Sequence, residues 1–139
     1  MIFIDTNVIS ETMSRIPDPD VMAWLERHDA ELAIPTVAIA EIAFGIQKIR
    51  PAERADRLER TLADWRRRFS TRLFGLTEEA ALAYGDLMAT SVMRGRRMSV
   101  QDGMIAAIAM VNGGRLATRN LRDFETTTLD LVSPWPKVD

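Results

Sequence analysis

The chain has no cysteine, which removes disulfides, thiolate zinc sites and a cysteine nucleophile together. Histidine occurs once, as His28 in "WLERHDA", a polar segment where an exposed helical side chain is expected. One imidazole cannot build a multi-histidine metal site, and its polar setting argues against a nucleophile–histidine triad. Lysine is confined to Lys48 and Lys137, so positive charge rests on arginine. That bias suits bidentate contacts with phosphate or carboxylate, and a GC-rich genome produces it equally well. No run of about 18 apolar residues exists, and the opening "MIFIDTN" carries Asp5 where a secretory leader needs a basic and then an apolar stretch. A soluble, cytoplasmic chain without membrane attachment is expected. With a formal charge of −2, bulk charge does not advertise nucleic-acid binding. If this protein catalyses anything, carboxylates must do most of it.

What is present has the size of one compact domain. At 139 residues, 47% of them hydrophobic, the chain can bury a core and leaves little for a second one. "MIFI" predicts a strand ending at Asp5, followed by a helix over "TNVISETMS" with Thr6 and Asn7 able to cap it. A second helix over "PDPDVMAWLERHD" buries Val21, Trp24 and Leu25. "ELAIP" predicts a strand, and a helix containing Glu41 follows it. A polar helix is expected over 51–69, its Glu53–Arg57, Asp56–Arg60 and Asp64–Arg68 spaced for intrahelical ion pairs. "TRLFGL" predicts a strand, and "TEEAALAYGDLMATSVM" a helix opened by Thr77 that buries Tyr84, Leu87 and Met88. "SVQDGMIAAIAMVNGG" is a helix stopped by glycines. "RLAT" is a strand, "RNLRDFE" a turn or short helix, and "TLDLV" a last strand. Strands alternating with helices imply an α/β sandwich with a mostly parallel sheet, in which ligands gather at the carboxyl ends of the strands.

Two acids break the hydrophobic pattern. In "IPTVAIAEIAFGI" Glu41 shares a helix face with Val37, Ala38, Phe44 and Gly45, which points it at packed, apolar surroundings. An ionised carboxylate left unpaired there costs several kcal/mol. Asp102 shares a face with Ile105, Ala106 and Ala109, and it also completes an "S-x-x-D" capping box with Ser99. Asp5 at a strand end reads as a turn residue or a ligand, and Asp123 as an exposed acid or a ligand. Two carboxylates about 4 Å apart repel by roughly 4 kcal/mol at an effective dielectric of 20, so a converging set needs a proton or a cation. A hard divalent ion, Mg²⁺ or Mn²⁺, matches oxygen ligands with neither sulfur nor imidazole.

Four segments in register, "FIDTNVISE", "AEIAFGI", "QDGMIAAIA" and "LATRNLRDFE", resemble the motifs of PIN-domain ribonucleases, and in particular VapC-type toxins of prokaryotic toxin–antitoxin pairs. The "DTNVISE" opening and "LDLVSPW" near the end are similar to the FitB subgroup. This resemblance, which spans nearly the whole chain, implies a single PIN domain over 1–139, a PIN-type α/β/α sandwich, that hydrolyses RNA phosphodiester bonds with Mg²⁺ or Mn²⁺. It implies an acidic metal site of Asp5, Glu41 and Asp102, with Asp123 as fourth carboxylate and Asn120 as a neutral neighbour where some members carry an acid. Thr6, Asn7 and Thr118 match positions that support the acids or a bound water; helix capping and a strand-end hydroxyl are their ordinary roles. It further implies a homodimer, silenced by a small antitoxin in a heterotetramer or larger assembly that meets operator DNA only through the antitoxin.

Arginines divide into two groups. Arg66, Arg67 and Arg68 lie on the self-paired polar helix, whereas Arg96 and Arg97 precede the Asp102 helix and Arg119 and Arg122 flank Asn120, which makes these four the candidates for RNA phosphate. Two rival functions are a non-catalytic PIN module acting with its antitoxin on DNA, and a DNA-directed nuclease of related architecture. The first would be expected to lack an acid; the second differs by a 2′-hydroxyl contact that residue types do not display.

Overall fold

The computed structural model describes residues 1–136. Five strands form one sheet: β1 (Ile2–Ile4), β2 (Leu32–Pro35), β3 (Leu73–Phe74), β4 (Arg115–Ala117) and β5 (Leu131–Val132). Their order is β3-β2-β1-β4-β5, and every neighbouring pair is parallel. Residues of β1 and β2, and Leu116 and Ala117 of β4, are buried on both faces, so their side chains alternate between two cores. Ile2, Ile4, Leu32, Ile34 and Ala117 join one cluster, while Phe3, Ala33 and Leu116 join the other.

The first cluster is covered by α1 (Thr6–Thr12), α2 (Pro19–Arg27), α3 (Thr36–Lys48) and α4 (Arg54–Arg68), which contribute Val8, Trp24, Ile42 and Leu62. The second lies under α5 (Glu78–Met93) and α6 (Val100–Val111). The α/β/α sandwich expected from the alternating pattern is therefore the fold. Close approach of α5 and α6 depends on Gly103, where an added Cβ would stand 2.6 Å from Met88 Sδ and 2.9 Å from the Tyr84 ring.

Several expected details are different. Asp5 rather than Thr6 or Asn7 caps α1, because the helix begins at Thr6 and the Asp5 carboxylate accepts its N–H. His28 is half-buried, its Nδ1 2.8 Å from Trp24 O and its ring stacked on that indole. Tyr84 and Met88 are only half-buried; small residues, Ala80 and Ser91, occupy the inner face of α5 beside Leu87. None of the three ion pairs expected on α4 forms among the described residues. Asp56 and Glu59 turn to Arg50, Asp64 to Arg67, and Arg68 to Asp29. The loop before α4 and the turn after α2 supply partners, Arg50 and Asp29, that a helix wheel does not contain.

Candidate active site

Strand order reverses between β1 and β4: the chain moves outward from β1 through β2 to β3, then returns to lay β4 on the other side of β1. Diverging connections leave a crevice at the carboxyl ends of such strands. Asp5 ends β1 and Thr118 follows β4 at that edge. The Asp5 N–H donates to Ala117 O at 3.0 Å, which ties the two strand ends together.

Asp5 is 4% exposed, and both of its oxygens are engaged. The Thr6 N–H donates to Oδ1 at 2.7 Å, and the Thr118 hydroxyl donates to Oδ2 at 2.8 Å. Burial raises the Asp5 pKa above the usual 3.8; the two hydrogen bonds work against that, and the nearby charges of Glu41 and Asp123 add to it. Glu41 reaches the same place from α3. It is half-buried rather than enclosed, since Phe44 on its face is 66% exposed. The Thr6 hydroxyl donates to Glu41 Oε1 at 2.7 Å. Thr6 thus holds Asp5 with its backbone and Glu41 with its side chain.

Asp102 sits in the first turn of α6, where its N–H donates to the Ser99 hydroxyl at 3.1 Å. Ile105, Ala106 and Ala109 on its face are fully buried, while Asp102 itself is half-buried. Burial first, then the charge of Asp5, push its pKa up to about 6, with Asp123 and Glu41 adding to the rise and the Ser99 hydrogen bond opposing it. Asp123 is exposed on a 3-10 turn, Leu121–Phe124, and its charge reaches both Asp5 and Asp102. Asn120 is also exposed and stands at the head of that turn, its N–H donating to the Thr118 hydroxyl at 3.2 Å and its carbonyl accepting from the Asp123 N–H. Asn7 Oδ1 accepts the Arg119 N–H at 3.4 Å, steadying the chain after β4.

The structure therefore brings Glu41 and Asp123 into electrostatic range of Asp5 and Asp102, and those two into range of each other, from four separate segments. Among the described residues no lysine or arginine pairs with any of them. Like charges assembled without a basic partner are the environment a cation completes. Also among the described residues, no three acids stand close enough to hold one ion directly. Neither of the two principal concavities contains any of these acids. One, of about 540 Å³, lies between α1, α2 and α4, and the other, of about 820 Å³, between α1, α3 and α4.

The four loop arginines separate on inspection. Arg97, Arg119 and Arg122 are exposed. Arg119 lies over the Trp135 ring at 5.1 Å, a contact between the turn after β4 and the segment after β5 that sequence spacing does not reveal. Arg96 is half-buried, paired with Glu125 at 2.7 Å and bonded to Arg122 O at 3.1 Å.

Over residues 2–128 the sequence matches the family model for the PIN domain. The chain belongs to the PIN-domain family. This PIN domain is 34% identical over 140 residues to a VapC ribonuclease of Sinorhizobium fredii, with 97% of this chain and 98% of that protein covered. It is 28% identical over 140 residues to Toxin FitB of Neisseria gonorrhoeae, covering 97% and 99% respectively. Among solved structures, FitAB bound to a DNA fragment superposes with a TM-score of 0.90 at 27% identity, covering all of this chain and 99% of that one. No helix of this PIN domain, among the described residues, is long and apolar enough to cross a membrane.

Proposed function

We propose that this PIN domain is an endoribonuclease, the toxin of a toxin–antitoxin pair, and that it hydrolyses RNA phosphodiester bonds at the Asp5–Glu41–Asp102–Asp123 centre with the help of Mg²⁺ or Mn²⁺. One observation carries the reading: four acids from distant segments share the carboxyl edge of the sheet, and none has a basic partner among the described residues. Full-length similarity to proteins named VapC ribonuclease and Toxin FitB supports the substrate class and the role.

Asp5, Glu41, Asp102 and Asp123 are the residues that would hold the ion, directly or through its waters. When bound, it supplies the positive charge against which a water loses its proton and the phosphate bears developing charge. Thr118 and the Thr6 N–H fix the two oxygens of Asp5 so that its carboxylate cannot swing away. The Thr6 hydroxyl does the same for Glu41. Asp123, exposed on its turn, is open to solvent. Arg97 and Arg122, exposed and without an ion pair among the described residues, and Arg119, exposed and stacked on Trp135, would neutralise flanking phosphates. No histidine takes part: the one in the chain, His28, is stacked on Trp24.

An antitoxin partner is supported by the FitAB assembly on DNA, and the apolar lining of the cleft between α2 and α4, with Met22, Leu25, Trp65 and Phe69, is suited to an inserted segment. A homodimer is supported by the outer face of α5, where Leu82, Val92 and Met93 are 69%, 65% and 86% exposed. Expression of wild type beside Asp5→Asn, with sequencing of cleaved RNA ends, tests the proposal: new ends are expected from wild type alone. Equal cleavage by both proteins, or cleavage of DNA instead of RNA, would overturn it.

A further inference from the structure

We infer that Arg96 is a positioning residue for the centre, a clamp that fixes the Asp123 turn relative to the start of α6, rather than a contact for RNA. The inference rests on the nuclease reading above and adds a role for a side chain that touches none of the four acids.

The backbone at Arg96 is locked before its side chain is considered. Gly95 takes a left-handed φ of +71° and reverses the chain after α5. The Arg96 N–H then donates to Ser91 O at 2.9 Å, and the Ser91 hydroxyl donates back to Arg96 O. Ser91 is 1% exposed, so this is an interior anchor beneath a surface loop. From that fixed base the guanidinium crosses to the 3-10 turn. Its Nη2 donates to Arg122 O at 3.1 Å and pairs with Glu125 at 2.7 Å. The two contacts bracket Asp123 in sequence, one on the residue before it and one two residues after.

Asp123 needs such a brace. It lies on a single 3-10 turn whose only buried side chain is Phe124. One apolar peg allows rotation about itself; a second, polar attachment removes that freedom. Three residues beyond Arg96, Ser99 caps α6 and fixes Asp102. The segment 96–102 therefore ties the third acid to the fourth through one short span of chain. Catalytic constellations tolerate errors of only about 0.5 Å, so a brace of this kind controls function even though exposed ion pairs add little stability. Both contacts use Nη2, so the charge of Arg96 is already paired with Glu125, which sets it apart from Arg97, Arg119 and Arg122.

Calorimetric titration with Mn²⁺, together with RNA cleavage kinetics, tests the clamp on the full chain. Arg96→Gln is expected to weaken Mn²⁺ binding and lower kcat, each by about tenfold, the size seen when groups supporting metal ligands are removed. KM for RNA and the salt dependence of RNA binding should stay at wild-type values, and Arg96→Lys should recover most of the loss. In an Asp123→Asn background, Arg96→Gln should have no further effect on Mn²⁺ affinity, an outcome that general loosening of the fold would not give. Wild-type uptake of Mn²⁺ with an indifferent Arg96→Gln, an additive loss in the Asp123→Asn background, or a reduced salt slope in Arg96→Gln overturns the clamp alone. A wild-type protein that takes up no Mn²⁺ overturns the metal-centred nuclease reading, and the clamp with it.

Discussion

Thr118 is fully buried, and its hydroxyl serves two neighbours, donating to Asp5 Oδ2 and accepting from the Asn120 N–H. Thr118→Val keeps the volume and deletes both bonds. RNA cleavage is expected to fall by about tenfold or more, while thermal unfolding shows a loss on the order of 1 kcal/mol; cleavage at the wild-type rate would free Asp5 from this dependence. The acids themselves give a pH signature. Asp5 and Asp102 have folded pKa values raised above 3.8, Asp102 to about 6, so ionising them costs more in the folded protein than in the unfolded chain. For Asp102 the contribution to stability is fully present below 3.8 and is lost as pH rises through about 6; Asp5 acts in the same direction. Metal-free Asp102→Asn should therefore melt above wild type at pH 7 and together with it near pH 4, as followed by circular dichroism. Glu41 and Asp102 were legible in the sequence because apolar helices seldom host an acid, whereas Asp5 at a strand end and Asp123 on a polar turn stood out only through the resemblance to a family. Arg96 was not, because its acceptor Arg122 O lies 26 residues further on, and neither periodicity nor local spacing reports such a pairing.

Hydrophobic period together with capping residues located each α-helix and strand of the described residues, since a two-sided parallel sheet and amphipathic helices leave different rhythms, but not the 3-10 turn Asp29–Glu31. The limits of β3 and β5 were overestimated because only two residues of each pair with a neighbour. Helix-wheel ion pairs failed on α4 for a related reason: acids there turn to arginines from outside the helix or three residues along. The α5–α6 contact offers a direct test of packing. Gly103→Ala should cost about 1–3 kcal/mol through collision with Met88 and Tyr84, and because Asp102 is its neighbour, cleavage should fall with it; an unchanged melting temperature would show that these side chains yield freely. At the other end of the site, Arg119→Gln and Arg122→Gln should weaken RNA binding and each flatten its salt dependence by about one unit of slope. Filter binding across a salt series measures this, and parallel lines for wild type and variants would exclude them.

At the scale of the whole molecule, an ion that binds only the assembled centre must stabilise the fold. At a hundred times its dissociation constant it adds about 2.7 kcal/mol, so the melting temperature should climb with Mn²⁺ for wild type and stay flat for a variant carrying both Asp5→Asn and Asp102→Asn. A rise in both would place the ion elsewhere on the surface. The centre also depends on a joint of long reach: β1 lies in the middle of the sheet, yet its partner β4 begins at Arg115, and the bond from Thr118 to Asp5 spans 113 residues. Bringing such distant segments together is slow compared with local helix formation. A polypeptide still emerging from the ribosome consequently lacks the proposed centre until Thr118 and Asp123 are out, and a fragment cut short before them is expected to cleave no RNA.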